Sequence, residues 1–163
     1  MASWALWGQG LEPVPNPNLY LPRIAEPVAV TNARKDTRQD LMRGTETVLL
    51  VEDDEEVRRL GSEVLQSCGY TVVETGDPLE ALTIGERRNG TIDLLVTDMV
   101  LPAMGGAELA TRLETLSPGL RVLCMSGYAD KLAVVAAHEP PRGFLLKPFT
   151  PYDLARKVRE ALT

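Results

Sequence analysis

The stretch LLVTDMVLPAMGG (residues 94–106) carries three unlike signals in succession. Leu94, Leu95 and Val96 are aliphatic at consecutive positions, so a strand built from them presents apolar side chains on both faces and has to be covered on both sides. Asp98 then puts a carboxylate where the apolar run stops. Pro102, Gly105 and Gly106 break the chain before the next helical pattern begins. An acid in this place caps a helix, binds a cation or takes part in chemistry. The proline and two glycines delay the following helix and count against capping.

The same alternation extends outward from this stretch. TVLLV (47–51), YTVVET (70–75), IDLLVT (92–97), LRVLCMS (120–126) and GFLL (143–146) read as strands. Between the first two, EEVRRLGSEVLQSCG places Val57, Leu60, Val64 and Leu65 at helical spacing, with Gly69 as a stop. Asp77-Pro78-Leu79-Glu80 opens a second helix with an N-cap acid, proline at the first helical position and a reciprocal acid three residues on. GAELATRLETL forms a third, ended by Ser117-Pro118. A weaker helical pattern lies near 129–138, and Thr150-Pro151-Tyr152-Asp153 starts the last helix in the same capped style. Strands alternating with helices imply parallel βαβ units with right-handed crossovers. Coverage on both faces argues for an open, doubly wound α/β sheet of five parallel strands, and in the order 2-1-3-4-5 strands one and three are neighbours. Five units in about 118 residues are too few for an eight-unit barrel.

The totals agree with one such domain plus an appendage: 163 residues, 44% hydrophobic and 25% charged. A net charge of −6 with no basic stripe speaks against nucleic-acid binding. No apolar run reaches the roughly 18 residues of a membrane span, and MASWALWGQG lacks the basic and apolar regions of a signal peptide. The expected location is cytoplasmic, with Cys68 and Cys124 reduced in the core. Residues 1–44 stand apart. They hold five of the twelve prolines and a net +1, leaving −7 for residues 45–163. They read as a linker or remnant, in part without fixed structure.

In open parallel sheets ligands bind beyond the carboxyl ends of the strands. Glu52-Asp53-Asp54 follow strand one, Asp98 follows strand three, Ser126 ends strand four and Lys147 ends strand five. Asp54 also reads as the cap of the first helix. Acids from strands one and three, adjacent in the sheet, repel one another unless a cation joins them. Oxygen-only ligands without His or Cys favour a hard ion such as Mg2+. A lysine and a hydroxyl opposite them complete what a phosphoryl group needs around its oxygens. Asp98 can then act as an ionised nucleophile. His138, the only histidine, and Tyr128 read as surface residues rather than chemical groups.

VLLVEDDEEVR, VTDMVLPAMGG, LCMSGY and FLLKPF, in that order at four strand ends, resemble the receiver domain of two-component response regulators over residues 46–162. The resemblance implies a flavodoxin-like fold. By position it implies that Asp98 is the phosphoacceptor, that Asp53 binds Mg2+ directly and Glu52 through water, and that the Val100 backbone carbonyl is a further metal ligand. Ser126 and Lys147 would bind the phosphoryl oxygens, with a cis peptide before Pro148. Ser126 and Phe144 occupy the switch positions. Glu52 stands where aspartate is commoner. Phe144 cannot make the hydrogen bond a tyrosine could, so switching is expected by ring burial and Ser126 movement. Val100 and Tyr128 flank the path of hydrolytic water in this family, and an apolar group and a bulky ring there imply slow loss of the phosphoryl group.

The expected partners are a histidine kinase or histidine phosphotransfer protein, and a downstream protein on the surface of about residues 129–162, with a phosphorylation-dependent dimer left open. No DNA-binding or enzymatic segment is read after the last helix. NLYLPRIAEP (18–27) resembles the closing strand of a sensor kinase ATP-binding domain, so residues 1–44 suggest the upstream part of a hybrid kinase. Two other classes compete. A phosphorylation-independent pseudo-receiver is disfavoured by the intact acid set. An aspartyl phosphohydrolase needs a second acid two residues after the nucleophile, where Val100 stands.

Overall fold

Five strands of three to six residues, each ending level with or just before a polar residue, build the sheet that positions the site. The structure is a computed structural model, and it describes residues 42–88, 90–127 and 143–163. In chain order these hold β1 (Thr47–Val51), α1 (Glu55–Ser67), β2 (Thr71–Thr75), α2 (Pro78–Arg87), β3 (Leu94–Asp98), α3 (Gly106–Leu116), β4 (Arg121–Ser126), β5 (Phe144–Leu146) and α4 (Pro151–Leu162). Residues 1–41, with the YLP motif, and residues 128–142, with Tyr128, His138 and the helical pattern near 129–138, lie outside the described residues.

All four strand pairings are parallel, and the order is β2-β1-β3-β4-β5. The expected doubly wound sheet is therefore present. Alternation along the strands divides the core in two. Leu49, Val51, Leu95, Val122 and Cys124 face Leu109, Ala110 and Leu113 of α3 and Ala81 of α2. Val48, Leu50, Leu94, Val96, Leu123 and Met125 face Leu65 of α1 and Leu154 and Val158 of α4. Every residue of β3 is buried, as its double-faced aliphatic run requires.

Register decides what reaches the rim. Val51 pairs with Thr97, so Glu52 falls level with Asp98. Asp98 pairs with Met125 and Ser126 pairs with Leu146, which brings Ser126 and Lys147 to the same end one and two steps further along.

Several local readings need correction. Leu60 is 47% exposed, and the buried stripe of α1 runs through Gly61, Ser62 and Leu65. The helix approaches the sheet closely at Gly61, where an added Cβ would lie 3.2 Å from Leu50, and this turns Leu60 outward. Asp77 caps α2 through the Leu79 N–H, but Glu80 does not return to the cap. It accepts from the Thr75 hydroxyl, and Thr75 Oγ1 itself accepts the Asp77 N–H. A buried threonine beside the cap has taken the role assigned to the acid. In α4 the reciprocal box of Thr150 and Asp153 does form. The loop after β3 has a positive φ at Ala103, 66°, and Gly105 and Gly106 stand at the start of the next helix as expected. Gly106 is required by close approach: a Cβ there would overlap the Asp98 carbonyl oxygen.

Ahead of β1, Met42 is buried and its carbonyl accepts the Tyr70 hydroxyl, while the Gly44 N–H donates to Cys68. Both cysteines are free; Cys124 is in the core and Cys68 is half-buried. Burial, aided by the charges of Glu114 and Asp98, pushes the Cys124 thiol up to about 11. Among the described residues no helix is long and apolar enough to cross a membrane.

Candidate functional site

The site is made where strand ends stop hydrogen bonding to one another and turn into loops. Glu52 leaves β1 with its N–H on the Thr75 carbonyl. Its side chain turns inward and is 1% exposed. Asp53 is exposed, and Asp54 caps α1 by accepting from the Glu56 and Val57 N–H groups at 2.9 and 3.1 Å. The inward acid, the outward acid and the cap are thus three different outcomes along one acidic run.

Asp98 ends β3 and is nearly buried. One carboxylate oxygen accepts the Val100 N–H at 3.2 Å, and the other accepts from Lys147 at 2.6 Å. The Thr97 hydroxyl donates to the Asp98 carbonyl, and Gly106 packs on that carbonyl, so the backbone behind the carboxylate is held from two sides. Lys147 reaches back from the end of β5. Its Nζ also donates to Glu52 Oε2 at 2.6 Å. The Lys147–Pro148 peptide is cis, and the Lys147 N–H donates to the Ser126 carbonyl.

Glu52, Asp53 and Asp98 each offer a carboxylate oxygen, and these oxygens all lie within 4.8 Å of one another. Among the described residues the three carboxylates have one ammonium paired with them, Lys147, and one guanidinium nearby, Arg58, so this cluster keeps an excess of negative charge. Burial pushes the Glu52 carboxyl above its usual range; Lys147 pulls it back, and the charges of Asp98 and Asp53 push it further up. Burial works against the Lys147 charge, but hydrogen bonds to Asp98 and Glu52 outweigh it and hold the ammonium above its usual range. An oxygen-only donor set with this excess charge fits a hard divalent cation.

Of the residues singled out from the sequence, the structure brings together Glu52, Asp53, Asp98 and Lys147. Ser126 is fully buried at the adjacent strand end, and its hydroxyl donates to the Gly127 carbonyl at 2.9 Å rather than to Asp98. Val100 points its side chain to solvent, 60% exposed. Phe144 is half-buried against the α2–α3 side of the core, removed from the carboxylates by its place at the start of β5. Sequence reading missed Arg58, whose guanidinium donates to the carbonyls of Glu52 at 2.6 Å and Asp53 at 3.3 Å. Its signal was available: an arginine on the first turns of a helix leans back over the loop before it.

A model of the response regulator receiver domain matches residues 48–159. The chain belongs to this family. Among curated relatives, the sensor kinase CckA of Brucella abortus is 40% identical over 152 residues, covering 88% of this chain but only 16% of that kinase. The response regulator receiver protein CpdR of the same organism is 34% identical, covering 71% of this chain and 95% of the relative. Among solved structures, the receiver domain of the hybrid histidine kinase CckA superposes with a TM-score of 0.61 at 32% identity, covering 72% of this chain and 99% of that one. The chemotaxis regulator CheY4 of Vibrio cholerae gives 0.62 at 27% identity, covering 73% and 100%. Receiver domains generally bind Mg2+ at an acidic pocket, and this chain has an acidic cluster of Glu52, Asp53 and Asp98 at the rim of its sheet.

Proposed function

We propose that this receiver domain accepts a phosphoryl group on Asp98 from a phosphohistidine of a histidine kinase or phosphotransfer protein. The observation that carries the reading is the position of Lys147, whose Nζ lies 2.6 Å from both Glu52 Oε2 and Asp98 Oδ2. A cation shared between the acceptor carboxylate and the neighbouring acid is in reach of any group bonded to Asp98. A carboxylate oxygen of Asp98 attacks phosphorus in line, the P–N bond breaks, and its electron pair returns to the imidazole. No general base is needed because the nucleophile is already an anion. Glu52, Asp53, Asp98 and the Val100 carbonyl would hold Mg2+, which supplies charge neutralisation at the phosphoryl oxygens. Lys147 supplies the second positive contact. For Ser126 to reach the phosphoryl group, its hydroxyl leaves Gly127, and this rotation, with reburial of Phe144, is the switch.

Val100 supports slow loss of the phosphoryl group, since an exposed aliphatic side chain cannot orient water as an acid or amide could. The longer match to the sensor kinase (88% of the chain, against 71% for CpdR) supports reading the upstream residues as kinase-derived. Output through a downstream protein or a phosphorylation-dependent dimer follows from the same reading, as does a cytoplasmic setting.

Beryllofluoride mimics the phosphoryl group on a carboxylate. With Mg2+ present it should shift amide resonances of residues 52–54, 98–100, 126–127 and 147 in the wild type and leave Asp98→Asn unchanged. Equal shifts in both proteins would contradict the assignment.

A further inference from the structure

The acidic loop after β1 is held from three directions. The Glu52 N–H is bound by the Thr75 carbonyl, and the Asp54 carboxylate binds the first amides of α1. Arg58 closes the third side: its Nη1 donates to the Glu52 carbonyl at 2.6 Å and the Asp53 carbonyl at 3.3 Å. These two carbonyls fix the peptide planes on either side of the Asp53 Cα. That matters most for Asp53, because its carboxylate is exposed and has no hydrogen-bond partner among the described residues. With no side-chain partner to hold it, the backbone fixes only the direction in which its Cα–Cβ bond leaves the loop.

Gly76, at the end of β2, gives the guanidinium its place. A Cβ at residue 76 would come within 2.8 Å of Arg58 Nη1, while its next contact with protein backbone, the Glu52 carbonyl, lies at 3.5 Å. Its backbone is not in the left-handed region, so an alanine is tolerated there and displaces mainly the arginine tip.

We infer that Arg58, seated against Gly76, is a positioning residue that sets the affinity of the acidic rim for its divalent cation by fixing the Glu52-Asp53 backbone. The inference rests on the reading of Glu52, Asp53 and Asp98 as the Mg2+ site. Groups that orient metal ligands without touching the metal commonly change affinity by about 10- to 100-fold when removed. Arg58→Gln removes the cationic clamp, and Gly76→Ala pushes it aside while leaving the arginine in the chain.

The test is calorimetric titration of the full chain with Mg2+, and with Mn2+ as a second probe, alongside metal-free thermal unfolding. The wild type should bind. Arg58→Gln and Gly76→Ala should both bind about 10-fold more weakly or worse. Binding by the wild type with unchanged affinity in Gly76→Ala and Arg58→Gln would overturn the inference alone, whatever their unfolding temperatures, and would leave Arg58 a stabilising residue only. If Arg58→Gln fails to fold, Gly76→Ala decides. Absence of Mg2+ and Mn2+ binding by the wild type would overturn the metal-site reading itself, and the inference with it.

Discussion

The two rims of the sheet carry similar residue types to opposite effect. At the amino end, Glu46 pairs with Arg159 at 2.9 Å, and Asp93 accepts the Thr47 N–H at 2.7 Å. Arg159 also reaches the Arg43 carbonyl, and Tyr70 holds the Met42 carbonyl. Each acid there has its own donor, and these contacts stitch the start of β1 to α4 and to the head of β3. At the carboxyl end three acids cluster: Glu52 and Asp98 share Lys147, Asp53 has no side-chain partner among the described residues, and Arg58 is engaged by backbone carbonyls. Matched charge closes a structure. Mismatched charge, held in place by a buried strand, makes an oxygen-only cluster that suits a hard divalent cation. The comparison explains why one rim is a site and the other is not.

The largest effect should come from disturbing the carboxyl rim without changing a charge. Gly106→Ala drives a Cβ into the Asp98 carbonyl, and either α3 or the end of β3 has to move. A destabilisation of about 3 kcal/mol is expected, together with weakened Mg2+ binding, by denaturant titration and calorimetry. Lys147→Met comes next. It leaves the buried Glu52 and Asp98 facing each other without their counter-ion, and should cost about 2 kcal/mol in metal-free buffer, the quarter exposure of Lys147 tempering the penalty. The deficit should shrink in millimolar Mg2+, because the added cation replaces the lost charge. A deficit insensitive to Mg2+ would mean that the two rims do not differ as argued.

The smallest effect belongs to the amino rim. Glu46→Gln should cost about 0.5 kcal/mol near neutral pH, as expected of a partly exposed pair, and leave Mg2+ affinity unchanged. Burial raises the Glu46 carboxyl, but hydrogen bonds from its own N–H, Arg159 and the Thr45 N–H, with the Arg159 charge, bring it below the usual glutamate range. A depressed carboxyl contributes stability that is present above its unfolded pKa and lost as pH falls through the folded value. The difference between wild type and Glu46→Gln should therefore disappear in acid, which pH-dependent unfolding would show.

Much of this was legible in the residues. Five aliphatic runs separated by capped helical patterns give the order of elements, and the double-faced β3 gives the two-layer coverage. The rim was legible because strand ends in a parallel sheet all point one way, so Glu52, Asp98, Ser126 and Lys147 had to meet at one edge. What escaped depended on distances between elements. Leu60 is exposed because Gly61 lets α1 approach Leu50 closely, which periodicity alone does not register. Glu80 leaves its cap because a buried threonine from β2 outcompetes it. The positive φ at Ala103 has no sequence signal, and the need for glycine at 106 lies in its close approach to the Asp98 carbonyl. Arg58 went unread because its role lies in the two loop carbonyls it binds and not in any pattern of residue types.

The most direct measurement of the central claim is intact-mass analysis after incubation with acetyl phosphate and Mg2+. The wild type should gain a single phosphoryl group, lose the gain when Mg2+ is chelated beforehand, and retain it over minutes rather than seconds once acetyl phosphate is removed. Asp98→Asn should gain nothing. A phosphoryl group appearing on Asp98→Asn, or on the wild type without a divalent cation to the same extent, would contradict the account.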